Sequence, residues 1–218
     1  MKILKKYHIY IYIFLVICAI TIISIKLIDL KKTKAIEIER KEIDDKTPIS
    51  DTIPTIDFAK LRKKYKNSDI KAAIRIKNDS FEEIVFKTNN NYYYLNHNYL
   101  KKKGNGEIFI DYRLDLDNSK IKVLYASGSS KSKYFKRYYD EQYYTKHKYL
   151  ELETEKIVYK YEVVSIYSKY ISYKEFECKK ILNDSLYTYN LDLDDNDEFL
   201  IINTTIDKKK IAIVSKKV

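Results

Sequence analysis

The chain has 218 residues, of which 42 are basic and 31 acidic, so its formal net charge is +11. It has three glycines, and neither phosphate-binding pattern, G-x-G-x-x-G or G-x-x-x-x-G-K-[ST], occurs, which excludes the common nucleotide-binding loops. Cys18 and Cys178 are far apart, and no group of cysteines and histidines has zinc spacing, so we expect no metal and no cofactor. Nearly all the basic residues are lysine, and lysine, isoleucine, asparagine and tyrosine, which all have AT-rich codons, are abundant. Genome composition therefore accounts for much of the charge, and no nucleic-acid partner is expected.

The first segment is an uncharged apolar run over residues 9–25, with lysines on both sides. A helix of this length is about 25 Å long, which is near the lower limit for crossing a bilayer. No cleavage site of small residues follows, so a retained anchor is favoured over a cleaved signal peptide. Residues 1–26 are thus predicted to form a cytoplasmic tail and a single transmembrane helix in the cell membrane, with the C-terminal domain outside.

A charged stalk and linker are predicted over residues 27–56. Apolar residues recur near a seven-residue spacing in its first part, which suggests a short amphipathic helix. Pro48 and Pro54, the only prolines of the chain, then interrupt any helix. The folded domain is therefore predicted to begin at residue 57.

The remaining chain, residues 57–218, has the pattern of one mainly β domain. Asp57 can cap a helix that continues through Tyr65, with apolar side chains on one face. Short alternating runs typical of strands follow, and a few helical patterns lie between them. The strands are predicted at 73–76, 84–86, 107–110, 121–125, 149–152, 157–164, 199–204 and 211–214, and helices at about 134–147 and 173–182. Many short strands with a few short helices predict a barrel-like domain.

Four segments of this domain carry motifs that resemble those of one known family. They are Asn90–His97 (N-N-Y-Y-Y-L-N-H), Gly106–Arg113 (G-E-I-F-I-D-Y-R), Tyr143–His147 (Y-Y-T-K-H) and Ser185–Tyr187 (S-L-Y). In number, order and spacing they resemble the class B sortases, the membrane-anchored cysteine transpeptidases of Gram-positive bacteria. The resemblance covers the chain from about residue 57 onward. It implies a sortase-like closed β-barrel preceded by an N-terminal transmembrane helix.

The resemblance also implies where a catalytic site would lie. In the family, a Cys thiolate attacks a carbonyl of a sorting-signal peptide, a His supplies acid catalysis, and an Arg donates hydrogen bonds to the oxyanion. Here Ser127 stands at the position of the His and Thr205 at that of the Cys, while Lys210, or its neighbour Lys209, stands near that of the Arg. All three catalytic residues are therefore replaced. The segment 168–180, which in the family helps to recognise the sorting signal, is also shorter.

These replacements remove what sortase chemistry needs. A Thr hydroxyl is far less acidic than a Cys thiol and requires a base beside it; a serine cannot be that base, and a lysine could be one only if desolvated. In a comparable catalytic triad, the loss of one member costs on the order of 10⁴ to 10⁶ in rate. The leading hypothesis is therefore a pseudosortase at the cell wall that holds a sorting-signal-like peptide or pairs with an active sortase.

Three alternatives remain open. Thr205 and Lys210 could form an atypical acyl transferase, since Ser-Lys pairs occur on other folds. Cys178 could instead pair with His97 or His147, although an acidic neighbour of this cysteine opposes thiolate formation. Finally, the lysine-rich surface could bind an anionic cell-wall polymer.

Overall fold

The computed structural model describes residues 53–188 and 193–218. The predicted transmembrane helix over residues 9–25 and most of the predicted stalk over residues 27–56 lie outside the described residues. Within the described ranges, no helix is both long enough and apolar enough to span a lipid bilayer.

Helix α1 (Phe58–Tyr65) forms where the sequence predicts it, because both of its ends are capped. The Asp57 side chain accepts a hydrogen bond from the backbone N–H of Lys60 at 2.8 Å, which satisfies a donor of the first turn. At the other end, Lys66 adopts the left-handed conformation with φ of 49°, and its N–H returns to carbonyls of the last turn. Phe58 is buried and anchors α1 to the barrel.

Nine strands occur in the described residues, and eight of them close into a barrel. They are β1 (Ile70–Ile76), β2 (Glu82–Phe86), β3 (Ile108–Ile110), β4 (Ile121–Ala126), β5 (Tyr149–Glu153), β6 (Val158–Tyr167), β7 (Ser185–Thr188), β8 (Phe199–Ile206) and β9 (Lys209–Lys217). The sheet order is β5-β1-β2-β3-β4-β8-β9-β6-β7, and a further pairing of β5 with β6 closes the barrel. The β2–β3 and β4–β8 pairs are parallel. The prediction of a mainly β, closed barrel is thus confirmed.

The other helices are short and lie between strands. They are α2 (Ser129–Lys136), α3 (Glu141–Lys146) and α4 (Cys178–Asp184), with 3₁₀ turns at Tyr93–Leu95 and Arg137–Tyr139. The helical stretch predicted at 134–147 is therefore two helices with a 3₁₀ turn between them. Asp140 separates them, because its side chain accepts a hydrogen bond from the N–H of Gln142 at 2.9 Å and so begins α3.

Strand β7 is a feature that the sequence analysis did not predict. Ser185, Tyr187 and Thr188 pair with the last part of β6, and the register shifts at Leu186. Leu186 and Tyr187 keep 50% and 41% of their surface exposed, respectively. A strand this short, with large apolar side chains partly in water, gives no usable alternation of apolar and polar residues.

Two apolar clusters hold the domain together. The larger one lies within the barrel and includes Val85, Val123 and Ile201, all fully buried. The smaller one lies beneath α1 and includes Phe86 and Phe109. Burial of each such side chain contributes about 1.5–3 kcal/mol relative to its exposure to water.

A buried carboxylate fixes the linker where it enters the barrel. Glu153, at the end of β5, has no exposed surface, and it accepts hydrogen bonds from the backbone N–H groups of Thr55 and Ile56, both at 2.6 Å. Arg75 of β1 forms an ion pair with the same carboxylate. Strands β4, β6 and β8 run in one direction, whereas β5 and β9 run in the other. The end of β5, where the linker is attached, therefore lies at the barrel end opposite to the one where β4 and β8 finish.

Candidate functional site

A pocket of about 360 Å³ opens where the parallel strands β4 and β8 finish. Ala126 of β4 lies opposite Thr204 of β8, so the residues that follow them, Ser127 and Thr205, reach the same edge of the barrel. The residues that line the pocket are Leu95, Tyr125, Ala126, Ser127, Gly128, Ser132, Tyr170, Asn203 and Thr205. The register of two parallel strands therefore brings together the positions at which the resemblance places a histidine and a cysteine.

The Ser127 hydroxyl is engaged by a neighbouring loop. It donates a hydrogen bond to the carbonyl oxygen of Leu95 at 2.9 Å. Gly106 packs closely against the same loop, and a Cβ atom at this position would come within 2.5 Å of the carbonyl oxygens of Tyr94 and Leu95. Gly128 then turns the chain from β4 into α2 with φ of 92°, a conformation that other residues rarely adopt. Ser127 is thus part of the wall that closes this side of the pocket.

Thr205 is the hydroxyl residue of β8 that a ligand can reach. Its side chain is exposed, and its Oγ1 lies 2.8 Å from the hydroxyl oxygen of Tyr170. The preceding residue, Thr204, is fully buried, and its hydroxyl lies 3.0 Å from the carbonyl oxygen of Ala126 and 2.9 Å from the Ser132 hydroxyl. Successive side chains of a strand point to opposite faces, so Thr204 joins β8 to β4 and α2 while Thr205 faces outward.

Lys210 lies directly opposite Thr205 in the β8–β9 hairpin, whereas Lys209 is one pair closer to the turn. The Lys210 Nζ is 5.3 Å from the centroid of the Tyr170 ring, within the range of a cation–π contact. The structure thus places Ser127, Thr205 and Lys210 at one end of the barrel. Lys210 is exposed and does not line the pocket itself; it borders a neighbouring groove.

Asn203 and Tyr170 shape the pocket, and the sequence analysis singled out neither. The Asn203 side chain is buried, and its oxygen accepts a hydrogen bond from the N–H of Ile171 at 3.0 Å while its nitrogen donates to the Ile171 carbonyl at 2.8 Å. These two bonds fix the loop after β6 against β8 and hold the adjacent Tyr170 at Thr205. The signal that could have found this contact is a polar residue that continues the apolar run Phe199–Ile202.

Behind Tyr125, which lines the pocket, Asp111 and Arg113 form an ion pair. The Tyr125 hydroxyl donates to Asp111 at 3.5 Å, and Arg113 donates to both carboxylate oxygens of Asp111, at 2.8 and 2.5 Å. Burial, reinforced by the nearby Asp111 carboxylate, raises the pKa of Tyr125 to about 12. Burial alone would raise the pKa of Asp111 as well, but the hydrogen bonds from Arg113 outweigh it and hold that pKa below its ordinary value. The phenol in the pocket therefore stays neutral, and the charges lie behind it.

The cysteine and histidines of the described chain lie outside the pocket. Cys178 is buried at the start of α4, and burial together with the nearby Asp195 raises the pKa of its thiol to about 12. His97 and His147 each stack on a tyrosine, at centroid distances of 4.1 and 4.3 Å. The structure therefore does not bring Cys178 and a histidine together in the pocket. Residues 53–188 and 193–218 also contain no group of three or more side chains suited to hold a metal ion.

No protein-family model matches the sequence, and no curated protein matches it either. Solved structures do match the fold. Sortase B from Bacillus anthracis, in complex with AAEK1, is 24% identical with a TM-score of 0.65, over 88% of this chain and 99% of that one. Sortase B from Listeria monocytogenes is 24% identical with a TM-score of 0.62, over 72% of this chain and 99% of that one.

A third structure, the Staphylococcus aureus sortase B–substrate complex, is 20% identical with a TM-score of 0.63, over 85% of this chain and 94% of that one. The alignments cover nearly the whole of the solved chains, so they concern the complete fold rather than a shared fragment. This agrees with the resemblance found in the sequence motifs. The chain thus has the fold of the class B sortases.

Proposed function

We propose that this protein is a membrane-anchored, catalytically inactive sortase B-like protein that binds a peptide outside the cell. The observation that carries the proposal is the composition of the pocket. None of the described residues that line it contributes a thiol, an imidazole, a carboxylate or an ammonium group. What remains is apolar surface, with hydroxyl, phenol and amide groups.

A pocket of this composition cannot activate a nucleophile near neutral pH. The Thr205 hydroxyl would need a base within hydrogen-bond reach, and the group that it contacts is the phenol of Tyr170. The Ser127 hydroxyl donates to a backbone carbonyl. Lys210 lies nearby, but it is exposed to water and does not line the pocket. These contacts favour the inactive protein over an acyl transferase that uses Thr205.

The same pocket is suited to hold a peptide. Its volume of about 360 Å³ lies in the range of known ligand sites. The rings of Tyr125 and Tyr170 offer apolar surface, and the hydroxyls of Thr205 and Tyr170 can donate to or accept from peptide groups. The comparison with a sortase B–substrate complex supports a peptide as the ligand. A sorting-signal-like peptide is therefore the proposed partner.

Residues 9–25 supply the proposed anchor, because this uncharged run has the length of a short transmembrane helix. The pocket domain would then lie on the outer side of the membrane, at the cell wall. An active sortase is a further partner that such a location allows. Fractionation of cells and protease accessibility of the C-terminal domain test the location directly.

The test of the function is a calorimetric titration of the full-length chain, in detergent micelles, with a class-B-type sorting-signal peptide. Saturable binding is expected, and the intact mass of both protein and peptide should stay unchanged after prolonged incubation. Tyr170→Ala should weaken binding about tenfold, since one well-packed aromatic contact is worth about 1.4 kcal/mol or more. Tyr92→Ala is the matched control, because Tyr92 is 78% exposed and does not line the pocket.

Two results would contradict the proposal. Cleavage of the peptide, or a covalent adduct that disappears in Thr205→Ala, would establish an atypical transferase. Absence of binding, or equal weakening by Tyr170→Ala and Tyr92→Ala, would remove the pocket as a peptide site.

A further inference from the structure

A second cavity, of about 520 Å³, lies beside the β8–β9 turn. Thr205 lines the pocket and the next residue, Ile206, lines this cavity, so the two are neighbours on the same hairpin. We call it the lysine groove and define it by Lys136, Tyr139, Leu186, Ile206, Lys209 and Lys210. Its walls come from α2 and the 3₁₀ turn that follows, from β7 and from the β8–β9 hairpin.

The rim of the lysine groove is positively charged. Lys136, Lys209 and Lys210 line it, and Asp207 is the acidic residue among the lining side chains. Lys136 and Asp207 form an ion pair at 2.6 Å, with 53% and 71% of their side chains exposed, respectively. An exposed pair of this kind is weak and can be replaced by another acidic partner. Three lysines against one aspartate leave a net charge of +2 on the rim.

The interior of the lysine groove is apolar. Ile206 and Ile211 form its floor and are 5% and 1% exposed, whereas Leu186 on its wall is 50% exposed. Leu186 belongs to β7, which ends the described sheet and pairs with β6 alone. The outer backbone edge of β7 therefore has no strand partner among the described residues, and an extended chain can lie along such an edge.

We propose that the lysine groove binds an extended acidic segment of a partner protein, in which apolar and acidic side chains alternate. The period of an extended chain sends successive side chains to opposite sides. Apolar side chains can then cover Leu186 and Tyr139 while carboxylates meet Lys136 and Lys209. A wall polymer that carries only phosphates would satisfy the lysines and leave the exposed surface of Leu186 and Tyr139 uncovered, so a protein segment fits both features. This site does not depend on peptide binding in the pocket.

The test uses the full-length chain in micelles and fluorescence anisotropy of a labelled eight-residue peptide of alternating Asp and Leu, with empty micelles as background. Saturable binding is expected, and it should weaken as salt rises. Lys136→Glu with Lys209→Glu should weaken it at least tenfold. Lys102→Glu with Lys103→Glu is the matched control, because these exposed lysines lie in a different loop, and it should change binding less than twofold.

The apolar part of the proposal has its own test. Leu186→Ser should weaken binding at least threefold, and a peptide of alternating Asp and Ser should bind at least tenfold less tightly than the Asp-Leu peptide. If the Asp-Ser peptide binds equally well, or if both lysine double variants weaken binding alike, the groove is a diffuse polyanion surface and the proposal is wrong. Absence of saturable Asp-Leu binding to the wild-type chain also overturns it.

Circular dichroism confirms that each variant is folded, and Lys209→Glu alone replaces the double variant if that one is not. Calorimetric binding of the sorting-signal peptide to the pocket should persist in Lys136→Glu with Lys209→Glu. Loss of acidic-peptide binding to the groove and loss of sorting-signal-peptide binding to the pocket are therefore measured separately.

Discussion

The two ends of the barrel differ in how they use polar groups. Where the linker enters, Glu153 is charged, fully buried and bonded to the N–H groups of Thr55 and Ile56 and to Arg75. At the opposite end, the pocket offers the neutral hydroxyls of Thr205 and Tyr170 to water. A carboxylate is buried where it fixes the linker, whereas no described residue that lines the pocket carries a charged side chain. The comparison shows that a buried ionic contact fixes the linker at one end of the barrel, while neutral polar groups line the pocket at the other.

The largest expected effect is at the linker end. Glu153→Ala leaves Arg75 and two backbone N–H groups without this acceptor, so the free energy of unfolding should fall by roughly 3–5 kcal/mol. Urea denaturation followed by circular dichroism measures it. The control is Glu151→Ala, since Glu151 is 3.7 Å from Arg75 but has 28% of its side chain exposed; it should cost less than about 1 kcal/mol. Equal losses would mean that burial does not distinguish the two carboxylates.

The next effect tests whether the pocket end is open. In a Cys18→Ser chain, Cys178 is buried with a pKa of about 12, so little thiolate forms at pH 8 and iodoacetamide should react slowly. The same chain with Thr205→Cys carries an exposed thiol, which should be alkylated at least a hundredfold faster. Mass spectrometry of the labelled peptides distinguishes the two sites. Comparable rates would show that position 205 is covered.

A smaller effect is expected from the bonds that position Tyr170. Asn203→Ala removes two hydrogen bonds to Ile171 and leaves buried backbone groups without a partner, which should lower the free energy of unfolding by about 2 kcal/mol. It should also weaken binding of the sorting-signal peptide, because Tyr170 is no longer held at Thr205. Asn118→Ala, at an exposed site, is the control. A stability loss without a loss of affinity would show that the loop does not form part of the binding site.

The smallest expected effect is the acid dependence of the pair behind the pocket. The folded-state pKa of Asp111 is lowered, so its carboxylate adds stability that is fully present above its unfolded pKa near 4 and is lost as pH falls through the folded value. Between pH 7 and pH 3, wild type should therefore lose more of its free energy of unfolding than Asp111→Asn does. Arg113→Gln should reduce the acid sensitivity in the same way, since Arg113 supplies the opposing hydrogen bonds. Unchanged acid sensitivity in both variants would assign it to other carboxylates.

The sequence predicts the barrel well because its strands alternate regularly. The eight predicted strand regions all correspond to barrel strands, and the cap at Asp57 correctly begins α1. It predicts less of what lies between strands. The sequence does not predict strand β7, because this strand is short and half exposed. Helix α4 begins at Cys178, later than the predicted start.

For the pocket, too, the sequence predicts positions on regular strands better than contacts made by loops. The motifs indicated Ser127, Thr205 and Lys210, and the registers of β4–β8 and β8–β9 place them at one end of the barrel. Tyr170 and Asn203 could not be found from spacing, because the bonds that hold Tyr170 in place join Asn203 to Ile171, 32 positions away, in a loop that carries no repeating pattern. Asn203 leaves one trace in the sequence, a polar residue at the end of an apolar run, whereas Tyr170 lies in an irregular loop and leaves none.

The position of Tyr170 at the mouth of the pocket also has an optical consequence. The chain contains 23 tyrosines and no tryptophan, so its native fluorescence has no indole component. Tyr170→Trp would introduce a single indole beside Thr205, and its N–H can still donate a hydrogen bond. Peptide entry would move this indole from a wet to a drier environment and shift its emission to shorter wavelength, so that the pocket itself reports whether it is occupied.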